Sequence, residues 1–346
     1  MIRVALDAMG SDNAPDVEIE GAVKASLQGE VEVILVGNEE TLGPRLEAYS
    51  QKGSIQICHA EQVIGMHEQP VVAVREKKQS SILVAMRLLR DGQAEAVVSA
   101  GNTGAVMVAA RTVLGPIRGV ARAAISQALP TATGRVVMLD LGANVDCTTR
   151  QLCEFAEMGV AYSHYSLGVE NPRVGLLNIG EEGQKGSAVA KETYQQLIQM
   201  KHLNFVGNVE PRAALGGRAD VVVCDGFVGN LFLKTSEAAA YYMGKMLREQ
   251  FSKSSMSKLG ALLAHKALSE LKSKVDPNEY PGAPLLGING VVVIAHGAST
   301  ARGIENAILG AAVSVRNRLV DHIREHIVRL REHEIEVLRE ESQQIR

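Results

Sequence analysis

Short runs of β-branched and other apolar residues alternate along the chain with longer stretches whose apolar positions recur at helical spacing. This rhythm predicts an α/β fold, a mostly parallel sheet with helices on both faces. The expected strands are Ile2–Leu6, Val31–Val36, Ile55–Cys58, Ala96–Val98, Val136–Leu139, Val174–Leu177, Asn204–Val206, Val221–Val223 and Val291–Ala295. No fixed-period repeat, low-complexity tract or linker interrupts the pattern, so residues 1–346 read as a single domain.

Two segments break the rhythm. From Gly226 to about Val275 there is no strand signal, only two helical stretches in series with a break near Ser252–Ser255. This predicts a helical hairpin, spanning 227–280, inserted in the domain and projecting from it. From Thr300 onward Ile304, Ile308, Val315, Leu319, Ile323, Ile327 and Leu330 recur at helical spacing, which predicts one long C-terminal helix over 300–346 that frays at Ser342–Arg346.

Composition narrows the function classes. Of 346 residues, 46% are hydrophobic, enough for a large core, and the formal net charge of −3 supplies no overall positive field. With 3% aromatics and no Trp there are few stacking platforms, so nucleic acid is not an expected partner. The four cysteines show no CxxC spacing and read as reduced, structural thiols. MIRVALDAMG reads as a strand rather than a signal peptide, and no run reaches the ~18 apolar residues of a spanning helix. The expectation is a cytoplasmic protein whose membrane contact is at most peripheral.

The informative positions follow the strands: VALDAMGSDNAP, EAVVSAGNTGA, VVMLDLGANVD, GLLNIGEEGQKGS, FVGNVE, VVVCDGFVGN and VVIAHGAST. Each passes from an apolar run into glycine with Asp, Asn, Ser, Glu, Lys or His. In open α/β sheets ligands bind beyond the carboxyl ends of strands, where loops converge and the next helix presents unpaired N–H groups. Seven loops of one kind point to a shared polar cleft. The most specific is Gly180–Ser187, in which glycines let the backbone approach an anion, a helix start supplies donors, and Lys185 adds a full charge. It is a phosphate-site pattern, although KGS is not the GK[ST] order of a P-loop. Further helix starts follow Ser99–Gly104, Asp225–Asn230 and His296–Thr300.

What is absent matters as much. No two glycines stand two residues apart, so GxGxxG cannot occur, and HExxH and GxSxG are missing. His322 and His326 lie on a highly charged stretch and read as a solvated face rather than metal ligands. The chemistry is expected to need no metal, no cofactor and no protein nucleophile.

The motifs DAMGSDNAP, REKKQSSI, SAGNTGA, LLNIGEEGQKGS, FVGNVEPR, DVVVCDGFVGN and LLGINGVVVIAHGAS, in this order over nearly the whole chain, resemble the bacterial acyl-[acyl carrier protein]:phosphate acyltransferase (PlsX) family. The resemblance stops at about His333. It implies a Rossmann-like three-layer α/β/α fold, a homodimer, and conversion of acyl-ACP and inorganic phosphate to acyl phosphate and free ACP at the entry to phospholipid synthesis. The product implies a downstream partner, a glycerol-3-phosphate acyltransferase. An acyl-CoA-using phosphotransacetylase and a non-catalytic membrane scaffold for lipid enzymes are the rival readings.

Phosphate is already a nucleophile at neutral pH, so the protein need only orient it beside a thioester and stabilise the developing oxyanion. On that logic Lys185, with the N–H groups of Gly186 and Ser187, holds phosphate; Gly183, Asn102 and Thr103 extend the phosphate site; and Asn230 and backbone near Gly229 serve the oxyanion. His296 is a candidate for substrate contact. Asp7, Gly10, Asp140, Asn144, Asn178, Asn208 and Asp225 are expected to wall the cleft. From Lys245 to Lys274 seven Lys/Arg face two acids, Glu249 and Glu270, alongside Leu259, Leu262, Leu263, Leu271 and Val275. Leu259, Leu262 and Leu263 with Lys258 and Lys266 are therefore candidates for touching anionic lipid or the acidic carrier protein.

Overall fold

The computed structural model describes residues 1–344, apart from the side chains of Lys272, Val275, Glu334 and residues 336–344. In its first half run β1 (Ile2–Asp7), α1 (Asp16–Leu27), β2 (Val31–Gly37), α2 (Glu39–Glu47), β3 (Ile55–His59), α3 (Pro70–Glu76), α4 (Ser81–Arg90), β4 (Ala96–Ser99), α5 (Thr103–Val113), β5 (Ala124–Pro130) and β6 (Arg135–Leu139). Then follow α6 (Thr149–Ala161), β7 (Arg173–Leu177), α7 (Ala188–Gln199), β8 (Asn204–Val209), α8 (Pro211–Leu215), β9 (Val221–Val223), α9 (Gly226–Ser252), α10 (Ser255–Leu263), α11 (His265–Val275), β10 (Ala283–Leu286), β11 (Val291–Ile294), α12 (Ala301–Arg316) and α13 (Leu319–Gln344). A π-helical turn, Tyr162–Ser166, extends α6.

The strands form one sheet in the order β3-β2-β1-β4-β11-β10-β5-β6-β9-β7-β8. Nine lie where the apolar runs predict them. Two do not: β5 and β10 sit at the middle of the sheet, and the pairings β11/β10, β10/β5 and β5/β6 are all antiparallel. An odd number of reversals makes the parallel block β3-β2-β1-β4-β11 run opposite to the block β6-β9-β7-β8. The single carboxyl edge expected from sequence is therefore two edges, pointing in opposite directions.

Twist decides how those edges relate. Adjacent strands rotate by about 20–25°, so a sheet this wide becomes a saddle whose diagonal corners curl toward the same face. Both amino ends lie on one diagonal, and they do meet: the Asn317 side chain, just after α12, donates to the Tyr165 carbonyl of the π-helical turn at 2.7 Å. That contact is on the face covered by α1 and α12 over the first block and by α6 and α13 over the second. The carboxyl corners, on the other diagonal, curl toward the opposite face. There one apolar core runs from Ala5, Val97 and Val292 through Ile125 and Met138 to Val222, shared by α4, α5, α8 and the first turns of α9.

Two helical expectations are corrected. The tail is two helices, because Asn317 ends α12 and Arg318 adopts a left-handed φ of 52° before α13 begins. The fraying foreseen at 342–346 falls partly outside the described residues. The segment 227–280 breaks at Lys253–Ser254, as its polar residues suggest, and again at Ala264, giving three helices. Among the described side chains from Asn230 to Glu279, none is buried.

Candidate functional site

At the first carboxyl edge, after β1, β4 and β11, the polar side chains are spent on holding loops. Asp7 is fully buried, accepts from the Ser99 hydroxyl at 2.7 Å, and has its carboxyl pushed up by burial. Gly10 has no room for a Cβ, which would sit 2.6 Å from Asp7 Oδ2 and 2.8 Å from the Gly101 Cα. Asn102 caps α5 by accepting from the Ala105 N–H at 3.1 Å, while its Nδ2 reaches the carbonyls of Gly65, Met66 and Glu68 at 3.0–3.3 Å. This corrects the phosphate-binding assignment for Asn102, whose amide has no donor left for an anion. Thr103 is exposed at the first position of α5 and remains open for contact. His296 is exposed, not buried, and its Nδ1 accepts from the Ala298 N–H at 3.1 Å, which leaves the proton on Nε2.

The second edge, after β6, β7, β8 and β9, is built in two layers. Asp140, fully buried, accepts from the N–H groups of Ile125 and Ala143 at 3.0 Å and Asn144 at 2.6 Å, and from Asn144 Nδ2 at 2.8 Å; burial still pushes its carboxyl up. The Asn144 carbonyl receives the Gly226 N–H at 2.7 Å, which seats the start of α9, and the Asp225 side chain caps that helix at Val228. A Cβ on Gly229 would lie 2.0 Å from the Asp140 carbonyl oxygen, so only glycine lets α9 come this close.

Asn178 Nδ2 donates to the Lys185 carbonyl at 3.1 Å and its Oδ1 accepts the Ile179 N–H at 2.8 Å; Asn208 Nδ2 donates to the Glu182 carbonyl at 2.8 Å. These buried amides hold the 179–186 loop from within, and Asp7 and Asp140 are buried likewise. Gly183 lies against the Tyr194 ring, and Gly186 adopts a φ of 92° against Asn178, a conformation that favours glycine. The Ser187 hydroxyl is used to cap α7 at Ala190, but neither the Gly186 nor the Ser187 N–H has a backbone acceptor.

On this braced frame Lys185 and Asn230 stand exposed. Lys185 forms no ion pair among the described residues, and Asn230 lies over Gly142 in the loop after β6, where a Cβ would be 3.6 Å from it. They follow β7 and β9, which pair directly. Sequence reading missed two groups. One is Glu18, fully buried near Asp7, with neither carboxylate oxygen hydrogen-bonded and its pKa pushed up to about 7 by burial. The other is the set of exposed apolar side chains around Asn230, legible only through helical spacing from that residue. Cys147, after β6, has its thiol pushed up to about 12 by burial, and none of the four cysteines is joined in a disulfide among the described residues. An open cavity of about 380 Å³ lies away from both carboxyl edges, between the π-helical turn and the α12–α13 junction. Its arginines are paired, Arg316 with Glu30 at 2.8 Å and Arg318 with Asp321 at 3.0 Å.

Residues 2–321 match a family model described as fatty acid synthesis protein. A protein of Pelotomaculum thermopropionicum named phosphate acyltransferase is 48% identical over 326 residues, covering 94% of this chain and 95% of its own. One of the same name from Pelobacter propionicus is 45% identical over 342 residues, covering 99% and 98%. Among solved structures, a phosphotransacetylase from Streptococcus pyogenes superposes with a TM-score of 0.59 at 16% identity over 91% of this chain and 94% of that one. The EutD phosphotransacetylase from Staphylococcus aureus gives 0.58 at 17%, with the same coverage. At such identities the likeness concerns the fold alone.

Proposed function

The chain belongs to the fatty acid synthesis protein family, and from that membership we propose that its acyl donor is acyl-ACP and that Lys185 and Asn230 carry the reaction. It is a phosphate acyltransferase. The observation that supports the residue roles is that a lysine with no ion pair among the described residues and an exposed amide follow two directly paired strands, each loop fixed from below by buried amides or a carboxylate.

In this reading Lys185 and the N–H groups of Gly186 and Ser187 hold hydrogen phosphate at the start of α7. A phosphate oxygen attacks the thioester carbonyl carbon, and Asn230 Nδ2 donates to the oxyanion. The attack forms the acyl–phosphate bond, and collapse of the oxyanion restores the carbonyl and breaks the carbon–sulfur bond; the proton of hydrogen phosphate leaves with the thiolate as free thiol. Thr103 and His296 belong to the opposing corner and reach the reactants across the face of α5 and α9. The test is to incubate purified protein with phosphate and either palmitoyl-ACP or palmitoyl-CoA and trap acyl phosphate with hydroxylamine as the hydroxamate. Product from the ACP donor at much the higher kcat/KM supports the reading; preference for CoA would make the protein a phosphotransacetylase in its donor.

The segment α9–α11 we read as an inserted projection of a single domain, with a second copy of the chain and a membrane as its partners. Tyr241, Tyr242, Met243, Met246, Leu259, Leu262 and Leu263 are all exposed large hydrophobics, and Lys258 and Lys266 are exposed beside them. Such a surface suits homodimer burial along α9 and contact of α10 with anionic lipid. No helix among the described residues is long and apolar enough to cross a membrane. Proximity to a membrane would place acyl phosphate near a glycerol-3-phosphate acyltransferase.

A further inference from the structure

The acyl chain of the donor needs a seat, and its position is constrained by covalent chemistry. The carbonyl carbon that phosphate attacks is the first carbon of the chain, so the methylenes that follow start beside the oxyanion donor. Around Asn230 several of the exposed side chains are large and apolar. On α9, Phe227 stands three residues before Asn230 on its helix face, and Leu231, four residues after Phe227, stacks beside Phe227 at the next turn. They are 62% and 58% exposed, although both lie in the first two turns of a helix whose start is buried at Gly226 and Gly229. The loop that touches Asn230 through Gly142 carries Val145 three residues later, 64% exposed. Beside Asn178, in the loop that carries Lys185, Ile179 is 83% exposed. Large apolar groups thus face water at this corner beside the two exposed polar groups, Lys185 and Asn230.

We propose that Phe227 and Leu231, with Val145 and Ile179 on the flanking loops, form the seat of the fatty acyl chain, holding it on the exposed face of α9 while Asn230 takes the carbonyl oxygen. This inference rests on the acyl-transfer reading of Lys185 and Asn230 and adds what discriminates among acyl groups. Selection follows from burial: each methylene covered by the seat contributes about fourfold to kcat/KM. The seat is open along the helix, so longer chains gain until they outrun its apolar residues.

The experiment compares butyryl-ACP and palmitoyl-ACP as donors for the wild type and for Phe227→Ser/Leu231→Ser, with circular dichroism and size-exclusion chromatography as controls. The seat predicts that kcat/KM falls at least about thirtyfold for palmitoyl and less than about fivefold for butyryl. A second variant, Leu231→Trp, fills the seat and raises the butyryl-to-palmitoyl ratio instead. Equal losses for both donors would overturn the proposal, and loss of dimer mass together with equal losses would assign the patch to an interface between copies. Unchanged constants would overturn it too. If the wild type turns over neither donor, the acyl-transfer reading has failed, and the seat fails with it.

Discussion

The two carboxyl corners of the sheet use similar residues for opposite ends. At the first corner Asp7 and Asn102 turn inward, onto Ser99 and onto three loop carbonyls, and the exposed His296 accepts from the Ala298 N–H. At the second, Asp140, Asn144, Asn178 and Asn208 do the inward work, and Lys185 and Asn230 are left free above them. A reactive corner thus needs more polar residues than its chemistry uses, because each exposed donor must be held by buried ones. Substitutions of the exposed donors at the second corner should therefore change turnover, and those of the buried braces Asp7 and Asn102 at the first should change stability.

The largest effect is expected at Asn230. Asn230→Ala should lower kcat by about 10²–10³, with an unchanged melting curve, because one oriented oxyanion donor is lost. Near-normal turnover would move the reactive corner elsewhere. Next comes Glu18, beside the first corner. Its folded pKa of about 7 lies above the ordinary carboxylate value of 4.5, so its contribution to stability is fully present below the unfolded value and is lost as pH rises through about 7. Urea unfolding of the wild type should lose on the order of 3 kcal/mol across that window, and Glu18→Gln should abolish this part of the slope. An unaltered slope in the variant would show that Glu18 does not hold a proton in the fold.

Asn102→Ser keeps an acceptor for the α5 cap but removes the donor to Gly65, Met66 and Glu68. It should cost about 1–3 kcal/mol of stability while leaving phosphate KM in place. A large rise in phosphate KM without loss of stability would restore Asn102 to the phosphate site. The smallest effect expected is at Lys185: Lys185→Ala should raise phosphate KM about tenfold or more, as for the loss of one charge-assisted contact, with little change in stability. An unchanged KM would refute its anchoring role.

Most of the fold was legible because nine strands are apolar runs between helical stretches. β5 and β10 were not: AISQALP carries Ser126, Gln127 and Pro130, and APLL is four residues with a proline and no β-branched side chain. They are also the strands that reverse the sheet, so missing them concealed its two-edged topology. The break at Asn317–Arg318 left no mark, since apolar spacing continues across it and no glycine supplies the left-handed residue. At the site, the loops were visible and the roles of individual residues were not. Asn102, Asn178, Asn208 and Asn230 are the same residue type after similar strands, and only burial separates braces from the exposed donor.

The claim that Lys185 and Asn230 serve one reacting centre is tested most directly by a double-mutant cycle on kcat/KM, using Lys185→Ala, Asn230→Ala and the pair. Groups that hold the two halves of one transition state are coupled, so the double variant should be far less impaired than the product of the single losses. Losses that multiply would mean that the two side chains act independently and share no reacting centre.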